Sequence, residues 1–359
     1  MNIAIFGALS DDKFKSKQEP LIDLQSISKV YLYRYGGNPF SQKYSSKVVY
    51  SKKFRFSKYI YYLYSFFSIL SLAVRKKINL LIGTYFLPFG ILVGIVGIIT
   101  KTPYILILPG SDLKWIVEKR RFLYILRRSA KIAVRGSNSL DKLKKLGIAS
   151  DKIFTLHNYF DFPKVNETNS GQKEWDVIFI GYFRKLKRLD VLVDVIDNLK
   201  KEYPNIKCVL LGDGDQTMYI KQLIKDKKLE NNIELAGHKS DTLYYLNNSK
   251  IFLLTSESEG LPMVLVEAMS QGVPVVTSDI NDISNIVAHD YNGFLVQSLK
   301  KEEYIMNMKK LMSDEILYTD FSNNARKSME DFHRNFSSFS AIKLKWQEVI
   351  SQKRIFYNQ

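Results

Sequence analysis

Ile251-Phe252-Leu253-Leu254-Thr255 runs straight into Ser256-Glu257-Ser258-Glu259-Gly260-Leu261-Pro262-Met263-Val264-Leu265-Val266-Glu267-Ala268-Met269, and Val273-Pro274-Val275-Val276-Thr277 follows. Two short apolar runs flank a segment of helical spacing. Unbroken apolar runs are what parallel strands look like when both faces are covered. The stretch therefore reads as strand, loop, helix over Pro262–Gln271, and strand. Pro262 suits a first helical position and Gly272 the position just past a helix end. The turn Gly260-Leu261-Pro262 then presents a helix N-terminus, whose free N–H groups and positive dipole end suit a diphosphate.

The same alternation extends in both directions. Strands are expected at Asp176–Ile180, Lys207–Leu211 and Ile233–Leu235, with helices at Leu189–Lys200, Met218–Lys227 and Asp241–Asn248. The first half repeats the habit with strands at Ile3–Phe6, Leu80–Thr84, Tyr104–Leu108, Ile132–Val134 and Ile153–Leu156. Repeated β-α units imply doubly wound parallel sheets. A chain of 359 residues, 46% apolar and 25% charged, has material for two such cores. The polar run at 165–174 reads as a linker between an N-terminal domain, 1–164, and a C-terminal domain, 175–335. A last helix within 336–359 is expected to cross back to the first domain. Ligands of open α/β sheets bind beyond the carboxyl ends of the strands, so the chemistry is expected between two facing domains.

Ile78 to Thr100 carries no charge, long enough to cross a bilayer. Gly83, Pro88, Gly90, Gly94 and Gly97 break it up, and it divides into a strand, a helix over Leu87–Ile99 and a following strand. The start of the chain has no basic leader and is read as a first strand, not a signal peptide. The single cysteine, Cys208, lies in an apolar run and reads as a buried structural thiol in a reducing compartment.

The net charge of +17 is lopsided. Residues 1–165 hold 28 Lys and Arg against 9 Asp and Glu, whereas residues 166–359 hold 25 against 27. The first half should therefore face something anionic. Lys52 to Tyr59 interleaves basic and aromatic residues, leads into the aromatic-rich Ile60–Val74, and ends at Arg75-Lys76-Lys77. That pattern suits an anionic membrane surface, or a core helix with a solvated rim. No nucleic-acid module accompanies the charge, so nucleic acid is not expected as a partner.

Glu259 precedes the helix that begins near Pro262, and Glu267 lies one turn inside it. A nucleoside diphosphate sugar has hydroxyls on both sides of its phosphates, so one carboxylate for the sugar and one for the ribose is coherent. An ordinary helix with a dipole-favoured Glu ahead of it would look the same. Arg184, Lys185, Lys187 and Arg188 cluster where strand Asp176–Ile180 hands over to a helix. A phosphoryl leaving group needs positive charge there. A solvated basic turn is the plainer reading, and it is the one adopted for Lys185 and Arg188. Asp213-Gly214-Asp215 imitates a metal-binding Asp-x-Asp but closes a strand in a glycine-rich turn. His157, His238, His289 and His333 share no ligand spacing. No metal or other cofactor is expected.

The Glu259-to-Glu267 segment around Gly260-Leu261-Pro262 resembles the signature of family 4 retaining glycosyltransferases of GT-B fold. Gly181-Tyr182-Phe183-Arg184-Lys185-Leu186-Lys187-Arg188 is similar to that family's phosphate-binding loop. Leu211-Gly212-Asp213-Gly214, Ala236-Gly237-His238, Asn292-Gly293-Phe294-Leu295-Val296, Pro109-Gly110-Ser111-Asp112 and the run Lys131–Asp161 follow its order. The resemblance covers most of the chain and is densest from about residue 130 to 300. It implies two Rossmann-like domains in a GT-B arrangement, a nucleotide-diphosphate sugar as co-substrate, and transfer with retention. It assigns leaving-group stabilisation to Lys187 and, through a variant with Arg after an aromatic, to Arg184. Glu259 would hold the sugar. Gly260, Leu261, Pro262, Met263, Val264, Glu267 and His238 would bind the donor. Gly110 and Asp112 fall on the acceptor side, although Asp112 equally suits the cap of a helix over Leu113–Val117. Many members carry a His where this chain has Pro109. The acceptor suggested by charge and family habit is a saccharide or lipid-linked saccharide of a bacterial envelope polymer. The enzyme would be cytoplasmic and peripheral on the inner membrane face. A nucleotide-sugar epimerase or hydrolase of the same fold, or a non-enzymatic basic membrane- or RNA-binding protein, are the other readings.

Overall fold

A computed structural model describes residues 1–7, 11–34, 40, 42–51, 57–108, 112–113, 116, 119, 122–161, 173–259, 261–280, 282–297 and 300–352. Along the chain run β1 (Asn2–Phe6), α1 (Asp11–Ile22), β2 (Lys29–Tyr33), β3 (Val48–Tyr50), α2 (Lys58–Val74), β4 (Leu80–Thr84), α3 (Ile91–Thr100), β5 (Tyr104–Ile107), α4 (Leu123–Arg128), β6 (Lys131–Val134), α5 (Ser137–Lys145) and β7 (Ile153–Thr155). There follow β8 (Trp175–Ile180), α6 (Leu189–Leu199), β9 (Cys208–Leu211), α7 (Thr217–Asp226), β10 (Ile233–Gly237), α8 (Thr242–Asn247), β11 (Ser249–Leu254), α9 (Met263–Ser270), β12 (Val275–Ser278), β13 (Gly293–Val296), α10 (Lys301–Ser313), α11 (Glu315–Phe332) and α12 (Phe339–Ser351). The chain divides into two compact units, Met1–Asp161 with His333–Gln359, and Phe162–Phe332.

The first unit holds a seven-stranded parallel sheet in the order β3-β2-β1-β4-β5-β6-β7. Successive strand residues point to opposite faces, and here both faces are dry. Ala4, Phe6, Leu81 and Leu106 face a core built with Tyr61, Ile69 and Ala73 of α2, Val93 and Val96 of α3, and Leu143 of α5. Ile3, Ile5, Ile82 and Ile105 face the other core, with Phe14 and Leu21 of α1 and Ile342, Trp346, Val349 and Ile350 of α12. Trp346 is fully buried, meets Phe154 edge-on, and donates its indole N–H to Lys17 O at 3.3 Å. Lys343 pairs with Asp23 at 2.7 Å.

Ile78–Thr100 folds as a strand and a helix, and among the described residues no helix is long and apolar enough to cross a membrane. The helix starts later than expected, at Ile91, because Phe86–Gly90 forms a separate tight turn. That turn lies against β4. A Cβ on Gly83 would sit 2.9 Å from Gly90 Cα, so a side chain there would push it away. The expected helix Leu113–Val117 lies largely outside the described residues.

The second unit holds a six-stranded parallel sheet in the order β10-β9-β8-β11-β12-β13. Cys208 is buried in β9, and burial pushes its thiol up. Of the expected linker 165–174, only Lys173 and Glu174 are described. Both dock on the end of α8, Lys173 on Asn247 O and Glu174 N on Asn248 O.

Replacing Trp346 by Ala removes a large, fully buried side chain from the first unit. A loss of about 3 to 5 kcal/mol is expected in denaturant unfolding. A loss below about 1 kcal/mol would show that α12 contributes little to that core.

Candidate functional site

The second sheet is built outward from its middle. From β8 the chain adds β9 and β10 on one side, then returns to lay β11, β12 and β13 on the other. The adjacent ends of β8 and β11 are therefore the switch point, where connections leave in opposite directions and a crevice opens. Lys187 follows β8 and Glu259 follows β11.

Backbone packing fixes the loop after β8. Gly181 N donates to Leu211 O at 2.9 Å and Phe183 N to Asp213 O at 2.9 Å. A Cβ on Gly212 would lie 1.9 Å from Gly181 O, and Gly212 has a φ of +137°, so only glycine serves there. Thr255, fully buried at the end of β11, shares its hydroxyl proton between Lys187 O (3.1 Å) and Arg188 O (2.8 Å). Glu257 N donates to Leu186 O at 2.8 Å.

These bonds bring opposite charges together. Lys187 Nζ donates to Glu259 Oε1, and Ser256 Oγ donates to the same oxygen at 2.9 Å. The two charged side chains are only 19% and 13% exposed, so water screens the pair little. Arg188, read from sequence as a solvated turn residue, is instead held by Asp190 (2.9 Å) and Glu257 (2.7 Å), the Asp190 contact first in raising its pKa. It is a structural clamp across the two loops. Arg184 differs from both. Its guanidinium lies over the Tyr182 ring at 4.8 Å, and among the described residues it has no carboxylate partner. It lines a cavity of about 330 Å³ with Lys185, Arg188, Asp190, Gln216 and Tyr219.

α9 begins at Met263, and Pro262 stands just before it with φ −72° and ψ 117°. Pro262 is therefore one position earlier than its sequence suggested, and its carbonyl accepts from Leu265 N at 3.1 Å. Met263 and Val264 open the helix, so their N–H groups have no preceding turn to bond. Leu261 and Pro262 are buried beneath them. Gly260 lies outside the described residues. One turn into α9, Glu267 is half-buried, and no hydrogen bond or ion pair engages its carboxylate among the described residues. Burial alone raises its pKa. An acid half out of water with nothing to satisfy it is costly, and such groups gather at functional sites.

His238 follows β10, two strands from Lys187, and is exposed at the strand's end. The other histidines have structural contacts. His289 Nδ1 accepts from Leu295 N at 3.1 Å, His333 Nε2 lies 2.9 Å from Phe160 O, and the His157 ring packs on Phe336. Asp213 accepts from Thr217 and from Gly214 N (2.7 Å), contacts that lower its pKa and tie it into the turn. Among the described residues no three His, Cys, Asp or Glu side chains gather as a metal site. A larger cavity, about 760 Å³, opens at the opposite edge of this sheet, beside Asp176, Ile206 and Lys250 where strands begin. Chemistry, not volume, singles out the β8/β11 edge.

In the first unit, Gly110 lies outside the described residues, but Asp112 is placed. Its Oδ2 accepts from Phe86 N at 2.7 Å, just past β4, which abuts β1 at that sheet's own switch point. Burial pushes its carboxyl up to about 6, opposed by the Phe86 N–H and by Lys17. Lys17 is buried and lies 5.7 Å from the centre of the Tyr85 ring, with Tyr85 at a φ of +66°. Sequence reading missed Lys17 and Tyr85. Their only signal was position, one in α1 and one at a strand end.

Residues 162–328 match the family model of glycosyl transferases group 1. The match takes in most of the second unit and a little under half of the chain. Relatives include the poly(ribitol-phosphate) alpha-N-acetylglucosaminyltransferase of Staphylococcus aureus, 27% identical over 65% of this chain and 47% of that protein. The capsular polysaccharide biosynthesis glycosyltransferase CapH of S. aureus is 32% identical over 44% of this chain and 45% of its own. The chain spans about half the length of the curated relatives it matches. Among solved structures, Anabaena HepE in complex with UDP-glucose superposes with a TM-score of 0.73 at 17% identity, over 98% of this chain and 99% of that one. At that identity the likeness is one of fold, and the fold is GT-B.

The Asp112 carboxyl titrates near 6 in the folded chain against an ordinary 3.8. A raised acid stabilises the fold fully below the lower value, and that contribution is lost as pH rises through the upper one. Relative to its own stability near pH 4, the wild type should weaken as the pH rises through about 6. Asp112→Asn, which keeps an acceptor for Phe86 N, should lose that component. Parallel stability–pH curves for the two proteins would refute the assignment.

Proposed function

We propose that the protein is a retaining glycosyltransferase that moves a sugar from a nucleotide-diphosphate sugar to an acceptor hydroxyl. The observation that carries this reading is Glu267, a half-buried carboxylate without a partner among the described residues, one helical turn from the open N–H groups of α9 and eight residues from Glu259, which pairs with Lys187. Phosphate oxygens suit a helix N-terminus, and a ribose diol suits a carboxylate that only accepts. In this reading Glu267 takes the ribose. Leu261, Pro262, Met263 and Val264 would form the floor and amide tip for the diphosphate, and Gly260, outside the described residues, keeps the donor-binding role its sequence position implies.

Lys187 has two donors beyond the one engaged by Glu259, and Arg184 a guanidinium that pairs with no acid among the described residues. As the bond from the anomeric carbon to the phosphate oxygen breaks, both would stabilise charge growing on the diphosphate. Glu259, fixed by Lys187 and Ser256, would accept hydroxyls of the sugar. The acceptor oxygen takes the anomeric carbon on the same face, and its proton passes to the departing phosphate oxygen. No protein nucleophile and no metal ion enter this scheme. His238 would border the donor and Asp112 the acceptor. The names of two relatives, a poly(ribitol-phosphate) alpha-N-acetylglucosaminyltransferase and a capsular polysaccharide biosynthesis glycosyltransferase, support an envelope polymer or its lipid-linked precursor as acceptor. A reaction on such an acceptor belongs at the inner membrane face.

Thermal melts with uridine and guanosine diphosphates test the donor site. Ligand at about 100 times its Kd should add about 2.7 kcal/mol of stability. Glu267→Gln should raise the melting temperature of the protein alone at neutral pH, because it removes an unpaired buried charge, and should weaken the nucleotide response. Lys187→Ala should keep much of the nucleotide response but lower transfer of labelled sugar into membrane lipid extract by about 100- to 1,000-fold. A wild type that no nucleoside diphosphate stabilises would end the proposal, and free sugar as the only product would favour hydrolysis.

A further inference from the structure

Helix α2 packs one face on the first sheet through Tyr61, Ser65, Ile69 and Ala73. Its opposite face is apolar as well. Tyr59, Ile60, Leu63, Phe67, Ser71 and Val74 are exposed, and no charge occurs between Lys58 and Arg75. Leu63 and Phe67 are each 58% exposed and Val74 is 64% exposed. A surface helix of a globular protein ordinarily turns charged residues outward. The neighbouring α3 repeats the anomaly with Ile95 and Ile99, one turn apart, the latter 64% exposed. Both helices bury their inner sides in the same core, on the same face of the sheet, so their outer sides face the same way. The result is an apolar strip about 22 Å long on α2, widened by α3. Contiguous exposed apolar surface of this kind marks an interaction face.

Charge decides the occupant. Both helices lead into strands of one parallel sheet, β4 and β5, so their C-termini share an end. Arg75, Lys76, Lys77 and Lys101 stand exposed there. Lys58, exposed at the other end of α2, lies 5.3 Å from the centre of the Tyr59 ring. Between Asp23 and Asp112 the sequence has no acidic residue and twelve Lys or Arg. A second copy pressed onto this face would set these cations against their equals. A bilayer of anionic phospholipid offers acyl chains to the strip and negative headgroups to its ends.

We infer that the outer face of α2 and α3 docks the protein in plane on an anionic lipid bilayer, with Leu63, Phe67, Val74, Ile95 and Ile99 entering the interface and Arg75, Lys76, Lys77 and Lys101 at the headgroups. This deepens the membrane side of the proposed function, but it concerns a surface separate from the donor site and is read out without catalysis.

Flotation with vesicles of phosphatidylcholine alone, and of phosphatidylcholine mixed with phosphatidylglycerol, tests it. The wild type should bind the mixed vesicles at least about tenfold more strongly, and added salt should weaken binding. Leu63→Glu/Phe67→Glu should lose binding about tenfold or more without a lower melting temperature, since both side chains are already in water. Arg75→Glu/Lys76→Glu/Lys77→Glu should abolish the preference for phosphatidylglycerol. Phe67→Trp should shift its fluorescence to the blue on mixed vesicles. Failure of the wild type to float, or equal flotation of Leu63→Glu/Phe67→Glu, overturns the inference. So does a dimer in sedimentation that the same double variant dissolves, since the strip would then belong to a second copy. Loss of the nucleotide response with vesicle binding intact would count against the donor site alone.

Discussion

The hydroxyl of Thr255, buried at the end of β11 and shared between the carbonyls of Lys187 and Arg188, ties the two loops that leave the second sheet in opposite directions. Without that tie, each loop would answer only to its own strand. With it, Lys187 meets Glu259 and Arg188 spans to Glu257, two ion pairs with one side chain on each loop. Gly212 completes the constraint from the other side, since a side chain on it would collide with the carbonyl of Gly181 at the end of β8. Placement of charge at this edge is therefore a property of backbone packing. The side chains inherit it.

Each unit keeps a carboxyl group partly withdrawn from water at the edge where its sheet reverses direction. Among the described residues Glu267 has no partner, and Asp112 has one backbone N–H with a buried lysine close by. Folding alone would not select either arrangement, because burial penalises the charged form of both. Natural proteins break local rules of this kind at working sites and offset the loss elsewhere. Here the offset lies in two sheets whose strands are apolar on both faces.

Most of the fold was legible because parallel strands covered on both sides announce themselves as unbroken apolar runs. Where a strand lacks that property, the sequence is mute. β2 and β3 sit towards one edge of their sheet, are short, and carry exposed Lys29, Val49 and Tyr50, and the sequence reading names no strand there. β13 has only four residues and begins at a glycine, so its sequence carries little strand signal. At the site, the acidic residues and Lys187 stood out by their positions around predicted helix ends. Thr255 and Ser256 did not, because a hydroxyl that holds a loop looks like any other hydroxyl until its acceptors are known. Arg188 was misjudged for a related reason. A basic cluster does not say which member is bound, and only the positions of Asp190 and Glu257 separate the clamp from its neighbours.

The return of α12 to the first unit has a consequence for synthesis on the ribosome. Ile342, Trp346, Val349 and Ile350 fill one side of a core whose other members emerge some two hundred residues or more earlier. The stretch 162–332, by contrast, is continuous and can close its own sheet as soon as it clears the exit tunnel. The portion translated first thus matures last, waiting with an oily flank uncovered while its successor is already set.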